Sequence, residues 1–389
     1  MNAFPSWPSF TVEEADTARD VILSNKVNQW TGDRVRTFEQ EFAEWTGSEH
    51  AVAVTNGTLA LELALRALNI EPGDEVIVSP RSFFASVSCV LAVGGRPVFA
   101  DVDRDSGNLS AETIAPVLSD RTRAVVVVHL AGWPADMGPL MEMAQKRGFA
   151  VIEDCAQAHG AAIDGKMVGS IGHIGAWSFC QDKIMTTGGE GGMVTTDDPQ
   201  MFDFMWSYKD HGKSRDAVFN RAHPPGFRWL HESFGTNWRM LEVQAAIGSI
   251  QLGRMKEWHE LRTRNAMALV EVLRRHPSLV RVPLPGEGHT HAFYRLYGYL
   301  NSEVFGEAER NALIDRIAAA GFPAFHGSCS EIYLEKAFDG TDLAPPQRLP
   351  VAQELGATSI MFLTHPTIDE NTLGRYCQAV DEAFSGFNA

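Results

Sequence analysis

No two of the five cysteines, Cys89, Cys155, Cys180, Cys329 and Cys377, form a CxxC pair, and their number is odd. Neither a disulfide framework nor a zinc site is therefore expected, and a reducing cytoplasm suits the chain. Positive charge is also scarce: 33 Lys and Arg face 49 Asp and Glu, a formal net charge of −16. That excess repels nucleic acid and anionic membrane alike, so neither is expected as a partner, and its simplest use is solubility. No run of about 18 apolar residues is present to cross a bilayer. The opening MNAFPSWPSFTVEEAD has no basic stretch leading into an apolar one, so export is not expected either. If the substrate is an anion, its cationic contacts must be local, because the field of the whole molecule opposes its approach.

What is present is length and alternation. A chain of 389 residues can bury a large core and is expected to divide into two domains, which we place at 1–255 and 256–389. From Ala51, short apolar runs rich in β-branched residues alternate with segments of helical period. Strands are expected at 51–54, 75–78, 97–102, 124–129 and 150–153, and helices near 59–68, 85–93, 111–118 and 139–147. This is the pattern of an α/β fold with a mixed, mostly parallel sheet covered by helices on both faces. Two further strands, 176–179 and 193–196, are separated by the glycine-rich TTGGEGG. One long helix is expected from Arg239 to about Arg275, followed by a smaller α+β domain with a loop at 339–350.

Three constellations could carry chemistry. In AVAVTNGTLALELAL a strand runs into Asn56, Gly57 and Thr58 and then a helix, so free N–H groups and a positive dipole end converge on one point, an anion cradle. Asn56 or Thr58 would equally serve as a plain helix cap. In AVIEDCAQAHGA, Asp154 closes a strand expected to be buried, where a carboxylate is costly unless solvated or paired with a cation such as a pyridinium nitrogen. Turn formation through backbone hydrogen bonds is the alternative use of such an Asp. In GAWSFCQDKIMTTGGEGG, Lys183 lies between an apolar strand and a glycine turn, an enclosed setting in which desolvation turns a lysine into a nucleophilic amine. Most lysines are merely solvated charges, but these three features occur in succession at strand ends. His159, His211 and His326 show no metal-ligand spacing, and no metal is expected.

Together with GDEVIVSP, PVFADVD and GTNWRMLEVQAAIGSIQL, these stretches make the sequence resemble the DegT/StrS-type family of sugar aminotransferases, which depend on pyridoxal phosphate (PLP). The resemblance covers nearly the whole chain and implies the fold of the aspartate-aminotransferase type, fold type I. By position it implies that Lys183 carries the cofactor as a Schiff base and then moves the proton. Asp154 would pair with the pyridinium nitrogen, Gln157 would lie near the ring 3-hydroxyl, and Phe83 would stack on the ring. Gly57, Thr58 and the Ser178 hydroxyl would hold the phosphate. Asn237 would reach the phosphate of the neighbouring subunit, which implies a homodimer with shared active sites.

The implied reaction passes an amino group from an amino acid, L-glutamate by resemblance, to a keto-sugar carried on a nucleoside diphosphate, for amino-sugar or polysaccharide biosynthesis. Lys213, Arg228 and Arg239, in or near GTNWRM, are the candidate contacts for the diphosphate. Two departures from the family bear on the substrate: Arg81 stands where many members have an aromatic, and FHGSCSEIY replaces a common HYPxPLH-like segment. Two rivals remain. One is the PLP-dependent sugar dehydratase, whose histidine at the lysine position Lys183 argues against. The other is a PLP-binding regulator without turnover.

Overall fold

Four successive valines, Val125 to Val128, explain the centre of the molecule. Their stiff branched side chains suit an extended backbone, and because both faces of the strand are buried it must be covered on two sides. The structure, a computed structural model, describes residues 4–387.

Among the described residues the strands are β1 (His50–Val54), β2 (Glu75–Val78), β3 (Arg96–Phe99), β4 (Thr122–Val128), β5 (Ala150–Asp154), β6 (Ala162–Ile163), β7 (Lys166–Met167), β8 (Ile174–Ser178), β9 (Gly192–Thr196), β10 (Val280–Arg281), β11 (His289–Thr290), β12 (Arg295–Leu300), β13 (Ala324–Phe325) and β14 (Ser359–Leu363). Seven of them form the main sheet in the order β1-β9-β8-β5-β4-β2-β3. Only β9 runs against its neighbours; β8, β5, β4, β2 and β3 pair in parallel, which gives the mostly parallel sheet expected. A second sheet, β10-β12-β14-β13, is antiparallel throughout. It packs with residues 266–384 around a core of its own, to which Phe4 adds a contact from the far end of the chain.

The helices are α1 (Val12–Leu23), α2 (Arg34–Thr46), α3 (Gly57–Ala67), α4 (Ala85–Ala92), α5 (Ala111–Ile114), α6 (Met137–Arg147), α7 (Pro199–Tyr208), α8 (Arg215–Phe219), α9 (Glu242–Gly253), α10 (Met255–Leu273), α11 (Glu307–Ala319), α12 (Pro350–Thr358) and α13 (Glu370–Ser385). The single long helix expected after Arg239 is two helices. The backbone breaks at Arg254, whose guanidinium is drawn out to Glu13 and Glu14 of α1. The strand expected at 97–102 stops at Phe99, and the helix expected at 111–118 shortens to one α-helical turn followed by a 3-10 turn at Ala115–Val117, in which Pro116 supplies no N–H.

Helix α3 both covers the sheet and points its first turn at the strand ends. Asn56 caps it, its side-chain oxygen accepting from Leu59 N–H at 2.9 Å. Its Ala and Leu side chains bury one stripe, with Leu63 and Leu65 fully enclosed. Replacing Leu63 by Ala is expected to destabilise the protein by about 2–5 kcal/mol, read as a lower denaturant midpoint.

Candidate active site

Ligands collect at the carboxyl ends of parallel strands, and here the ends of β1, β2, β4, β5 and β8 surround a cavity of about 670 Å³. Asn56, Gly57 and Thr58 line it from the end of β1 and the start of α3. Ser82 and Phe83 line it from the turn after β2, Ser86 from the first turn of α4, Asp154 and Gln157 from the end of β5, and Ser178 and Lys183 from the end of β8. A second cavity of about 390 Å³ adjoins it, shares Ser82, Phe83, Gln157, Asp182 and Lys183, and is closed by Tyr294, Arg295 and residues 327–329.

The cradle at the start of α3 depends on a missing side chain. A Cβ on Gly57 would come within 2.5 Å of Ser178 Cβ, so only glycine lets the helix start lie against β8. The Ser178 hydroxyl, at the same point, accepts from Cys180 N–H at 3.3 Å.

Asp154 is the last residue of β5 and only 5% exposed. Ser86 Oγ donates to its Oδ2 at 2.8 Å, and Ala156 N–H to its Oδ1 at 3.2 Å. Burial nevertheless dominates and pushes its carboxyl above the ordinary range, against those hydrogen bonds and the pull of Lys183 and His129. The strand end is held from behind by a pair that the sequence did not announce. His129 Nε2 and Glu153 Oε2 lie 2.9 Å apart, both fully buried. The other Glu153 oxygen accepts from the N–H groups of Ile171 and Gly172, and Ala135 N–H donates to His129 Nδ1. Burial opposes the Glu153 charge, but His129 and these N–H groups outweigh it and hold its carboxyl below the ordinary range.

Lys183 keeps 16% of its side chain exposed, with Nζ 3.9 Å from Asp182 Oδ1 and 5.3 Å from the centre of the Tyr294 ring. Its backbone is fixed by a residue 176 positions away: Trp7 Nε1 donates to Lys183 O at 2.7 Å. The Trp7 ring packs edge-on against Trp258 and lies under the guanidinium of Arg262. Asp182 accepts from the Tyr294 hydroxyl at 2.5 Å and lies 3.6 Å from Arg295. Burial works against the Asp182 charge, but Lys183, Tyr294 and Arg295 prevail and its carboxyl is lowered.

Of the residues singled out from sequence, Gly57, Thr58, Phe83, Asp154, Gln157, Ser178 and Lys183 all line the one cavity. Gln157 Oε1 accepts from Ala131 N–H at 2.7 Å. Phe83 is 71% exposed, whereas Phe84 packs against Phe338. Asn237 is not brought into its own chain's cavity; it is exposed, in a bridge to Asp210. Two of the three cations considered for a diphosphate are engaged elsewhere. Lys213 and Arg239 both bind the fully buried Asp210, at 3.1 and 2.5 Å, while Trp30 donates to its second oxygen. His159 is buried against Trp177 and Phe179, and burial, then Lys183 and Arg262, lowers its pKa to about 3, so it stays neutral. Ser86, Asp182, Tyr294 and Arg295 were missed. Asp182 adjoins Lys183 and Ser86 lies three residues past Phe83, but Tyr294 and Arg295 arrive from beside or within the second sheet and no local pattern marks them.

The sequence profile of the DegT/DnrJ/EryC1/StrS aminotransferase family matches residues 8–381. The chain is 31% identical over 385 residues to the GDP-perosamine synthase of Escherichia coli O157:H7, covering 97% of each. It is 34% identical over 356 residues to the UDP-N-acetyl-3-dehydro-alpha-D-glucosamine 3-aminotransferase of Acidithiobacillus ferrooxidans, covering 91% of this chain and 90% of that one. The X-ray structure of an aminotransferase from Psychrobacter cryohalolentis superposes with a TM-score of 0.98 at 55% identity, covering 99% of this chain and 100% of that one.

The raised carboxyl of Asp154 has a consequence for stability. Between its unfolded and folded pKa values the native state holds more proton than the unfolded chain, so folding stability falls as pH rises through that window. Asp154→Asn is therefore expected to raise the thermal midpoint of the ligand-free protein at pH 7, and the gain should shrink as pH approaches about 4. Unfolding curves across that range, in the absence of ligands, check the sign.

Proposed function

The chain belongs to the DegT/DnrJ/EryC1/StrS aminotransferase family, and from that premise we propose that it binds PLP and moves an amino group from L-glutamate to a keto-sugar carried on a nucleoside diphosphate. The observation that carries this reading is the meeting, in one cavity, of an enclosed lysine, a buried carboxylate whose charge burial disfavours, and a glycine-opened helix start. A cationic ring nitrogen would relieve Asp154, a phosphate suits the N–H groups of Gly57 and Thr58 with the Ser178 hydroxyl, and an aldehyde needs an amine such as Lys183. The relatives named for amino sugars support the acceptor class.

When bound, PLP supplies an electron sink that stabilises charge left on the substrate carbon as a proton departs. The residues of the chain do the rest. Lys183 would hold the cofactor through its amine and, once displaced, take the proton from the donor carbon and return it at the cofactor side. Asp154 would keep the ring nitrogen protonated, Phe83 would cover the ring face, and Gln157 would orient the ring hydroxyl. Arg295, beside the second cavity, is the cation available to a substrate carboxylate.

Asn237, exposed on its own chain, would complete the phosphate site of a partner subunit in a homodimer. We place the enzyme in the cytoplasm; among the described residues no helix is long and apolar enough to cross a membrane. We also place the boundary between a cofactor-binding domain and a C-terminal domain near residue 255.

Two measurements test this. Borohydride reduction of the PLP-loaded protein followed by peptide mapping should place the adduct on Lys183, and Lys183→Ala should lose turnover by at least about a thousandfold. Glutamate should bleach the visible band of the bound cofactor, and a panel of keto-sugar nucleotides should then show which one restores it. A protein that only binds the cofactor would keep the band when glutamate is added.

A further inference from the structure

Arg81, in the turn between β2 and α4, is fully buried and, among the described residues, has no carboxylate paired with its charge. Its terminal nitrogens donate to two serine hydroxyls, Ser330 Oγ at 2.5 Å and Ser359 Oγ at 2.8 Å. Its guanidinium carbon lies 5.2 Å from the Tyr297 ring centre and 5.9 Å from that of Tyr299, and its Nε has no partner. Burying a guanidinium among neutral groups is costly. What arginine offers here is geometry, a rigid planar fork that reaches hydroxyls on two separate elements at once.

Those elements come from different parts of the molecule. Ser359 begins β14 of the second sheet, and Ser330 lies within residues 327–332, of which Gly327, Ser328, Cys329 and Ile332 line the smaller cavity together with Phe83. The backbone repeats the connection: Ile332 N–H donates to Pro80 O at 2.9 Å. The same wall is tied to β12, because Ser328 N–H donates to Tyr297 Oη at 2.8 Å and that hydroxyl donates to Ser328 Oγ at 3.0 Å. Gly327, at φ +104°, lies so close to Tyr297 that a Cβ would come within 2.5 Å of its ring. Arg81 and the Pro80 carbonyl therefore tie the turn that carries Phe83 to residues 327–332.

We propose that Arg81 is a positioning residue for acceptor selectivity: by clamping this wall it sets the width of the cavity that receives the keto-acceptor, while the amino-donor step depends on it little. The inference rests on reading the two cavities as the site of the proposed transamination. The wall presents Gly327, Ser328 and Cys329, small groups with a hydroxyl and a thiol, and so suits a hydroxylated ring lying against Phe83. A compact amino-acid donor needs only Lys183 and Arg295, neither of which Arg81 bonds. A bulkier acceptor must also fit the gap.

The test uses the PLP-loaded protein and the variants Arg81→Lys, which cannot span both hydroxyls, and Ser330→Ala, which removes one bond and leaves the arginine in place should the first variant fail to fold. Hydrogen exchange should speed up about tenfold at the amides of Ser328 and Ile332 in Arg81→Lys, the order expected when one hydrogen bond to a charged group is lost, and less in Ser330→Ala. Exchange near Gly57 and Asp154 should not change. The glutamate half-reaction, followed by the cofactor spectrum, should stay within about threefold, while KM for the keto-sugar nucleotide that wild type accepts from the panel should rise about tenfold or more. Unchanged exchange at Ser328 and Ile332, or equal loss in the two half-reactions, would overturn the proposal. If wild type reacts with glutamate but with no panel member, the nucleotide-sugar reading fails instead, and the exchange result alone decides whether Arg81 holds the wall.

Discussion

A carboxylate stands at the end of a strand whose neighbours are apolar, and most of the site is arranged around it. Asp154 cannot be moved into solvent without unpairing β5 from β4 and β8, and burial disfavours its charge. The chain answers only partly, with the Ser86 hydroxyl and one backbone N–H. Behind it, the His129–Glu153 pair is fully satisfied and carries its own compensation. One acidic residue is thus complete and its neighbour incomplete, and the incomplete one faces the cavity. A cation brought to that point would favour the charged form that burial now disfavours.

The geometry around that charge follows from the sheet. Parallel pairing of β8, β5, β4 and β2 brings all their carboxyl ends to one edge, so residues as far apart in sequence as Gly57 and Lys183 line the same volume. The reversed strand β9 then carries the chain back across the sheet to lie beside β1. This is the fold type I architecture of the family's solved members.

Much of this was legible in the sequence because the signals were local. The valine run of β4, the asparagine cap and alanine-leucine stripe of α3, and the glycine turn after Lys183 each announce themselves within a few residues. The strand at 75–78 kept both its limits and the others slipped by at most three residues, since end residues are set by what they pair with rather than by their own preference. The break at Arg254 was hidden for the opposite reason. The segment has good helical period throughout, and what interrupts it is a pair of ion pairs to α1. Tyr294 and Arg295 were equally hidden, because they enter the site from a sheet formed by the last third of the chain. The pairing of Lys213 and Arg239 with Asp210 was hidden too, since that partner is defined only once the chain is folded.

The hydrogen bond from Trp7 to the Lys183 carbonyl reaches beyond the site itself. The ring's other neighbours, Trp258 and Arg262, lie further along still, and the adjoining Ser6 carbonyl accepts from Thr367. Synthesis runs from the amino-terminal side, so Ser6 and Trp7 are made before every one of these groups, Lys183 coming next and Thr367 after the others. Trp7 must therefore wait, undocked, until the segment from Lys183 to Arg262 has been made, and Ser6 until Thr367. Nascent chains stalled before Trp258 is made would carry a tryptophan without its ring partners and a Lys183 loop without its tether.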